Sequence, residues 1–93
     1  MSSSKQYLNY ILEQLSDLKE IRYRPMMGKF IIYYKDKVVG GIYDDRLLLK
    51  PAKALVEFIG AVKYEFPYEG AKAMVLVENI DDSSYLCKLI KLV

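Results

Sequence analysis

Three segments of the chain place apolar residues at intervals of three and four, which predicts amphipathic helices with one buried side. Their apolar positions are Leu8, Ile11, Leu12 and Leu15; Leu55, Phe58, Ile59 and Val62; and Leu86, Leu89, Ile90 and Val93. Ser4 can cap the first helix, and Asp81 or Asp82 the third, because their side-chain oxygens accept hydrogen bonds from unpaired first-turn amides. Pro51 suits the first turn of the second helix, and Gly60 suits its end.

Between these helices lie short stretches rich in β-branched and aromatic residues, which predict strands. They are Ile21–Arg24, Phe30–Tyr34, Val38–Tyr43, Leu47–Leu49 and Met74–Val77. Lys35–Lys37 and Asp44–Asp45 are predicted to form tight turns. Connections this short join antiparallel neighbours. The sequence therefore predicts an α+β fold, with three helices and an antiparallel sheet of five to six strands in the order α-β(4)-α-β(2)-α.

The predicted strands are apolar on both faces, whereas a sheet with one solvated face should alternate apolar and polar residues. Within Phe30–Tyr34, for example, Ile31 and Tyr33 point away from the other three residues. Two interpretations remain open. Either the helices divide between the faces, or tyrosines close the second face with their hydroxyls in water. Alternatively, the second face or one of its edges contacts a partner or a second copy, as nine tyrosines against three phenylalanines suggest.

The composition is that of an ordinary globular domain, with 93 residues, 53% of them hydrophobic and 28% charged. The formal net charge of +2 does not favour binding to nucleic acid or to an anionic membrane. No apolar run approaches the ~18 residues of a membrane span, and residues 1–6 lack the apolar core of a signal peptide. A single cysteine excludes an internal disulfide. We therefore expect one domain, residues 1–93, in the cytoplasm.

The chain contains no histidine, the usual zinc ligand and the usual base for serine or cysteine nucleophiles. Cys87 lies beside the apolar stripe of the last helix, so we interpret it as a small buried hydrophobic residue. Asp44–Asp45 and Asp81–Asp82 suit turns and helix caps better than acid–base or metal chemistry. Gly40–Gly41 lacks a phosphate-loop continuation and predicts a bulge or a close backbone approach. We expect no enzyme activity, no cofactor and no metal site.

Several motifs together carry a family resemblance. A helix leads into Arg24–Gly28, and two strands joined by a turn then lead to Leu47–Lys50. Phe66–Asp82 adds a Tyr-Glu-Gly turn, a strand and a capped helix. These features resemble the N-terminal domain of the TfoX/Sxy family of competence regulators over nearly the whole chain. The resemblance implies a curved antiparallel sheet packed with helices, like that of secretion chaperones, and no catalytic residue. We expect a stand-alone domain without the C-terminal helical domain of the full-length regulators.

Within the Arg24–Gly28 block and the residue after it, the residues with a candidate recognition role are Arg24, Met26, Met27 and Lys29. Pro25 lacks a backbone donor and belongs at a strand edge or end, and Gly28 permits a turn into the next strand. The two methionines are interpreted as core fillers more readily than as contact residues. The Arg24 guanidinium can bind a carboxylate, either an internal one such as that of Glu20 or one on a partner, and we favour the internal ion pair or a carbonyl cap.

Three functions follow as hypotheses. We favour a non-enzymatic regulatory module that contacts another protein, with the transcription machinery as one candidate partner and a homodimer as another. The alternative is a nucleic-acid-binding module that uses Arg22, Arg24, Lys29 and Arg46 with nearby tyrosines as a basic stacking surface. The third hypothesis, an enzyme or a small-ligand binder, requires a pocket lined by convergent polar groups.

Overall fold

A computed structural model describes residues 4–93. Its elements, in chain order, are α1 Lys5–Gln14, β1 Ile21–Met26, β2 Lys29–Tyr34, β3 Lys37–Ile42, β4 Leu47–Leu49, α2 Lys53–Ile59, β5 Lys63–Glu65, β6 Met74–Val77 and α3 Ser83–Leu92. All strands join one antiparallel sheet in the spatial order β1-β2-β3-β4-β6-β5. The predicted α+β fold, with three helices and the order α-β(4)-α-β(2)-α, is confirmed.

Three successive hairpins connect β1 to β4. Two residues separate the strands in the first two hairpins, and in the third the backbone groups of Tyr43 and Arg46 pair with each other, so that the turn again has two residues. The loops are Met27–Gly28, Lys35–Asp36 and Asp44–Asp45, and all six residues have φ between 49° and 83°. Positive φ at both positions defines the type I′ turn, whose backbone matches the right-handed twist of paired strands. The predicted turns are confirmed, except that Lys37 is already part of β3 because it pairs with Tyr34.

The helix ends follow the predicted capping residues, with one correction. The Ser4 hydroxyl accepts a hydrogen bond from the Tyr7 amide at 3.1 Å, and the Asp82 carboxylate accepts one from the Tyr85 amide at 3.1 Å. Gly60 ends α2 with φ of 80°. Pro51 does not lie in the first turn of α2, because the next residue, Ala52, is still extended and serves as the N-cap.

All three helices contribute to a single hydrophobic core on one face of the sheet, which we call the inner face. The helical members are Leu8, Ile11, Leu55, Leu86, Cys87, Leu89 and Ile90, and the strand members are Ile32, Val39, Ile42, Leu47, Leu49, Val75 and Val77. The interpretation that the helices divide between the two faces is therefore wrong. Cys87 is 7% exposed, so its predicted role as a small buried hydrophobic residue is confirmed.

Gly40 and Gly41 lie where β3 pairs with both β2 and β4, and a Cβ atom at either position would meet backbone atoms of these neighbours. The pairing skips Val39, since Ile32 is opposite Gly40 and Tyr33 is opposite Val38, which is a β-bulge. A Cβ atom on Gly40 would lie 2.2 Å from the Leu48 carbonyl oxygen. Both alternatives predicted for the glycine pair, a bulge and a close backbone approach, are present.

We predict that Gly40→Ala lowers the free energy of unfolding by about 2–3 kcal/mol or more, because the added methyl group collides with backbone atoms that only a shift of β4 could move. Urea unfolding checks this. Gly70→Ala is the control, since a Cβ there meets no atom within 4 Å and only the positive φ of 86° opposes it, at a cost of about 1 kcal/mol. Equal losses in both variants would contradict the prediction.

Candidate protein-interaction surface

The face opposite the helices, here called the outer face, is crossed by one row of side chains from edge to edge. Residues directly opposite each other in paired strands share a face. From β1 to β5 the row is Arg24, Ile31, Gly41, Leu48, Leu76 and Lys63. The centre of this row is apolar and its two ends are basic. The centre must therefore be shielded from water by another part of the chain, whereas the ends can be exposed to solvent.

The centre of the outer face is covered by the connection between β5 and β6, residues 66–73. Leu48 is fully buried and Tyr43 is 7% exposed, although neither belongs to the core beneath the helices. Pro67 is buried, and the ammonium group of Lys29 lies 4.1 Å from the centre of the Tyr68 ring. Burial raises the pKa of Tyr43, and the nearby Tyr68 raises it further. Tyrosines thus close part of the second face, as one of the two open interpretations proposed.

Arg46 holds one end of this cover. Its guanidinium contacts the Glu65 carboxylate on the β5 edge strand, and its Nε donates to the Tyr43 carbonyl oxygen at 3.1 Å. A longer ion pair at 4.0 Å reaches Asp44. Sequence reasoning missed this contact because 19 residues separate Arg46 from Glu65 and no local pattern connects them. The local signal that points to a packed loop here is Pro67, which stands between two aromatic residues.

The β1–β2 hairpin carries the predicted recognition residues, and we call Arg24, Met26, Met27 and Lys29 the hairpin surface. Met26 is 47% exposed and Met27 is 93% exposed. The interpretation of these methionines as core fillers is therefore wrong. It failed because the strand ends at Met26, and Met27 then occupies the turn, where no other element can cover it. Gly28 completes the same turn with φ of 83°, as predicted.

Arg24 lies on the edge strand β1 and is exposed to solvent. Among residues 4–93 no ion pair or hydrogen bond joins it to Glu20 or to another carboxylate. The favoured internal salt bridge or carbonyl cap is not present there, since the strand directs Arg24 to the outer face beside Ile31. Pro25 also lies in this edge strand, where the missing backbone donor is tolerated, as predicted.

Of the four basic residues predicted to form a nucleic-acid surface, Arg22 and Arg24 line one shallow hollow on β1 together with Tyr33, and Arg46 lies elsewhere. Arg46 is bound to Glu65, and Arg22 lies 3.8 Å from the Asp36 carboxylate. The Lys29 ammonium group lies over the Tyr68 ring, and Arg24 lies on the edge strand β1. In the described part of the chain, no three acidic or cysteine side chains are grouped to hold a metal ion, and no helix is long and apolar enough to cross a membrane.

Comparisons with known proteins agree with this architecture. Residues 13–88 match the family described as the TfoX N-terminal domain. The chain is also 31% identical over 80 residues to a protein of Spirochaeta aurantia described as an uncharacterized 12.7 kDa protein in the trpE 5′ region, and the match covers 86% of this chain and 70% of that protein. No solved structure matches significantly.

Arg46→Ala is predicted to lower the free energy of unfolding by about 1 kcal/mol, because it removes a partly buried ion pair and the bond to the Tyr43 carbonyl. Arg22→Ala is the matched control. Its ion pair with Asp36 is more than three-quarters exposed on both sides, so we expect a change below about 0.5 kcal/mol. A double-mutant cycle with Glu65→Gln measures the coupling. A coupling energy near zero would show that the ion pair does not hold the cover.

Stability is predicted to decline above pH 10, and Tyr43 should account for part of the decline. Burial raises the pKa of Tyr43 above its ordinary value of 10.0, so the unfolded chain loses this proton first. The stabilisation is complete below pH 10 and is lost as the pH rises through the raised pKa. Urea unfolding between pH 9 and pH 11 should show a shallower decline for Tyr43→Phe. The control Tyr64→Phe, at a half-exposed site, should follow the parent protein, and an unchanged slope in Tyr43→Phe would refute the assignment.

Proposed function

Since this chain belongs to the TfoX N-terminal domain family, we propose that it is a non-enzymatic regulatory module that acts by contacting another protein through the hairpin surface. Family membership indicates a regulatory, competence-related domain. The proposal adds the mechanism, a protein contact made in the control of transcription, and it adds the surface that makes the contact.

Met27 is the observation that carries the proposal. A bulky residue with positive φ is unfavourable, by about 1 kcal/mol relative to glycine or asparagine, and Met27 has φ of 49°. Its side chain is 93% exposed, so packing within the chain does not compensate for the strain. A residue that is both strained and bare in the free protein is suited to a contact made with something else. Methionine is well adapted to such contacts because its flexible thioether fits irregular apolar surfaces.

The features of β1 favour a contact through the tip of the hairpin over the addition of a strand to the sheet edge. Pro25 lacks one of the backbone donors that an added strand would need. Arg22 and Arg24 place charges along the same strand, and natural edge strands use proline and charge to prevent indiscriminate pairing. The partner is therefore expected to present an apolar pocket for Met27 and Met26.

The charges beside the tip define the rim of that pocket. Arg24 carries no internal ion pair in residues 4–93, and Lys29 lies opposite Met26 in the register. Two cations beside two exposed methionines fit an acidic rim around an apolar centre, the arrangement typical of protein interfaces. The same two cations are too few for a nucleic-acid groove, since Arg46 and Arg22 are bound to carboxylates.

The test compares two substitutions at equivalent turn positions. Met27→Asn creates the Asn-Gly pair that type I′ turns prefer, so we expect it to raise the free energy of unfolding by about 0.5–1 kcal/mol. We expect the same variant to lose at least tenfold in capture of the partner from an extract of the native host. Lys35→Asn is the matched control, because Lys35 occupies the same place, with φ of 52°, in the hairpin at the other end of β2. It should gain similar stability and keep the partner.

Nuclease treatment, mass spectrometry and sedimentation complete the experiment. A protein that is retained after nuclease treatment, and is lost with both Met27→Asn and Arg24→Ala, supports the proposal. Equal capture by Met27→Asn and the parent protein would refute the role of the hairpin surface. Capture that disappears on nuclease treatment and weakens steeply with salt would indicate nucleic acid. Self-association that Met27→Asn abolishes would identify a second copy as the partner.

A further inference from the structure

A cleft of about 820 Å³ opens between the 66–73 connection and the ends of β3 and β4. Its apolar walls include Val38, Tyr43, Pro67, Ala71 and Met74. The volume lies within the range of small-molecule sites, roughly 300–1,000 Å³. None of the residues of the hairpin surface lines it, so the cleft is a separate feature of the molecule.

The cleft exists because the pairing of β3 with β4 stops at Pro51. The last backbone bond runs from the Lys50 amide to the Val39 carbonyl oxygen at 2.9 Å. Pro51 has no amide hydrogen and cannot extend the ladder, so the start of β3 is left without a neighbour on this side. Val38 is 36% exposed as a result. The 66–73 connection crosses the outer face beyond this point and forms the opposite wall.

Three lysines line the cleft, namely Lys37, Lys50 and Lys72, and no acidic residue is part of its lining. Within residues 4–93 none of the three forms an ion pair. Elsewhere in the described residues, Lys63 on the edge strand β5 forms an ion pair with Glu78. The positive charge of these side chains thus lies beside an apolar surface that is concave and partly open to water. Basic and acidic residues nearly balance over the whole chain, 14 against 12. A cleft lined by three lysines and by no aspartate or glutamate therefore fits a ligand of negative charge.

We propose that this cleft binds a small amphipathic anion, with an apolar chain or ring against Val38, Tyr43 and Met74 and a carboxylate or phosphate group held by the lysines. The apolar walls supply most of the binding free energy through burial. The lysines select for negative charge, since each exposed ion pair contributes modestly and several act together. This ligand site does not depend on the proposed protein contact, and the two fail or succeed separately.

The experiment uses the full chain labelled with ¹⁵N and follows amide shifts during titration with octanoate, octyl phosphate and octanol. We expect saturable shifts at residues 37–39, 50–52 and 67–74 with dissociation constants of roughly 0.1–1 mM for the anions. Octanol, which has the same chain and no charge, should bind at least about tenfold more weakly. The stronger of the two anions identifies the headgroup. Raising the salt concentration should weaken the binding of the two anions and leave the binding of octanol unchanged.

Variants separate the charge from the apolar walls. Lys37→Gln, Lys50→Gln and Lys72→Gln should each weaken octanoate about two- to fivefold, and the triple variant should bind it no better than octanol. The control Lys19→Gln alters an exposed lysine outside the cleft and should bind like the parent. Ala71→Phe should block all three ligands by filling the cleft, and its urea midpoint establishes that it still folds.

Several outcomes would overturn the proposal. Equal affinity for octanol and octanoate would remove the role of charge. A loss of octanoate affinity in Lys19→Gln as large as in the cleft variants would show that the attraction is nonspecific. Binding that survives Ala71→Phe would place the ligand elsewhere, and the absence of saturable shifts up to 10 mM (about ten times the upper expected constant) would exclude the site. Saturable shifts in the cleft with an acidic peptide, but with neither octyl anion, would overturn the assignment to small molecules.

Discussion

The sheet depends on the close approach of backbone atoms at Gly40 and Gly41, where no side chain fits. Gly40 brings β3 against the Leu48 carbonyl oxygen, and Gly41 has both the Tyr43 ring and the Phe30 carbonyl oxygen on the side where a Cβ atom would lie. Because neither position has a side chain, β4 can pair closely with β3 in the register that directs Leu47 and Leu49 toward the helices and Leu48 toward the outer face. The inner core and the buried centre of the outer face both follow from this contact.

Local chemistry accounts for most of what could be predicted from the sequence. Helix caps, two-residue turns and apolar spacing act over a few residues, so Ser4, Asp82 and Gly60 could be assigned without knowing the fold. The bulge and the close backbone approach at Gly40–Gly41 in β3 could be predicted for the same reason. Pro51 was wrongly placed in the first turn of α2, because Ala52 is extended and the helix begins only at Lys53, two residues after the proline.

The candidate site was less predictable because exposure is a tertiary property. A methionine pair has the same sequence signature in a core as at a hairpin tip, and only the position of the turn decides between them. The role of Arg24 was uncertain for a related reason, since closeness to Glu20 in sequence does not decide whether the two side chains form an ion pair. The cover of the outer face was the hardest feature to predict, because the Arg46–Glu65 contact joins the β3–β4 turn to the edge strand β5.

The three two-residue hairpins also bear on the order in which the chain acquires its structure. Strands β1 to β4 pair with one another in sequence order, so each of these three pairings closes a short loop at a small entropic cost. The pairing of β4 with β6 must instead enclose α2 and β5, and proteins dominated by such distant contacts fold more slowly. The four-stranded meander can therefore form as a nucleus, with β6 and α3 docking onto it afterwards. The strained methionine tip is part of that early unit, so it is in place before the rest of the domain has closed.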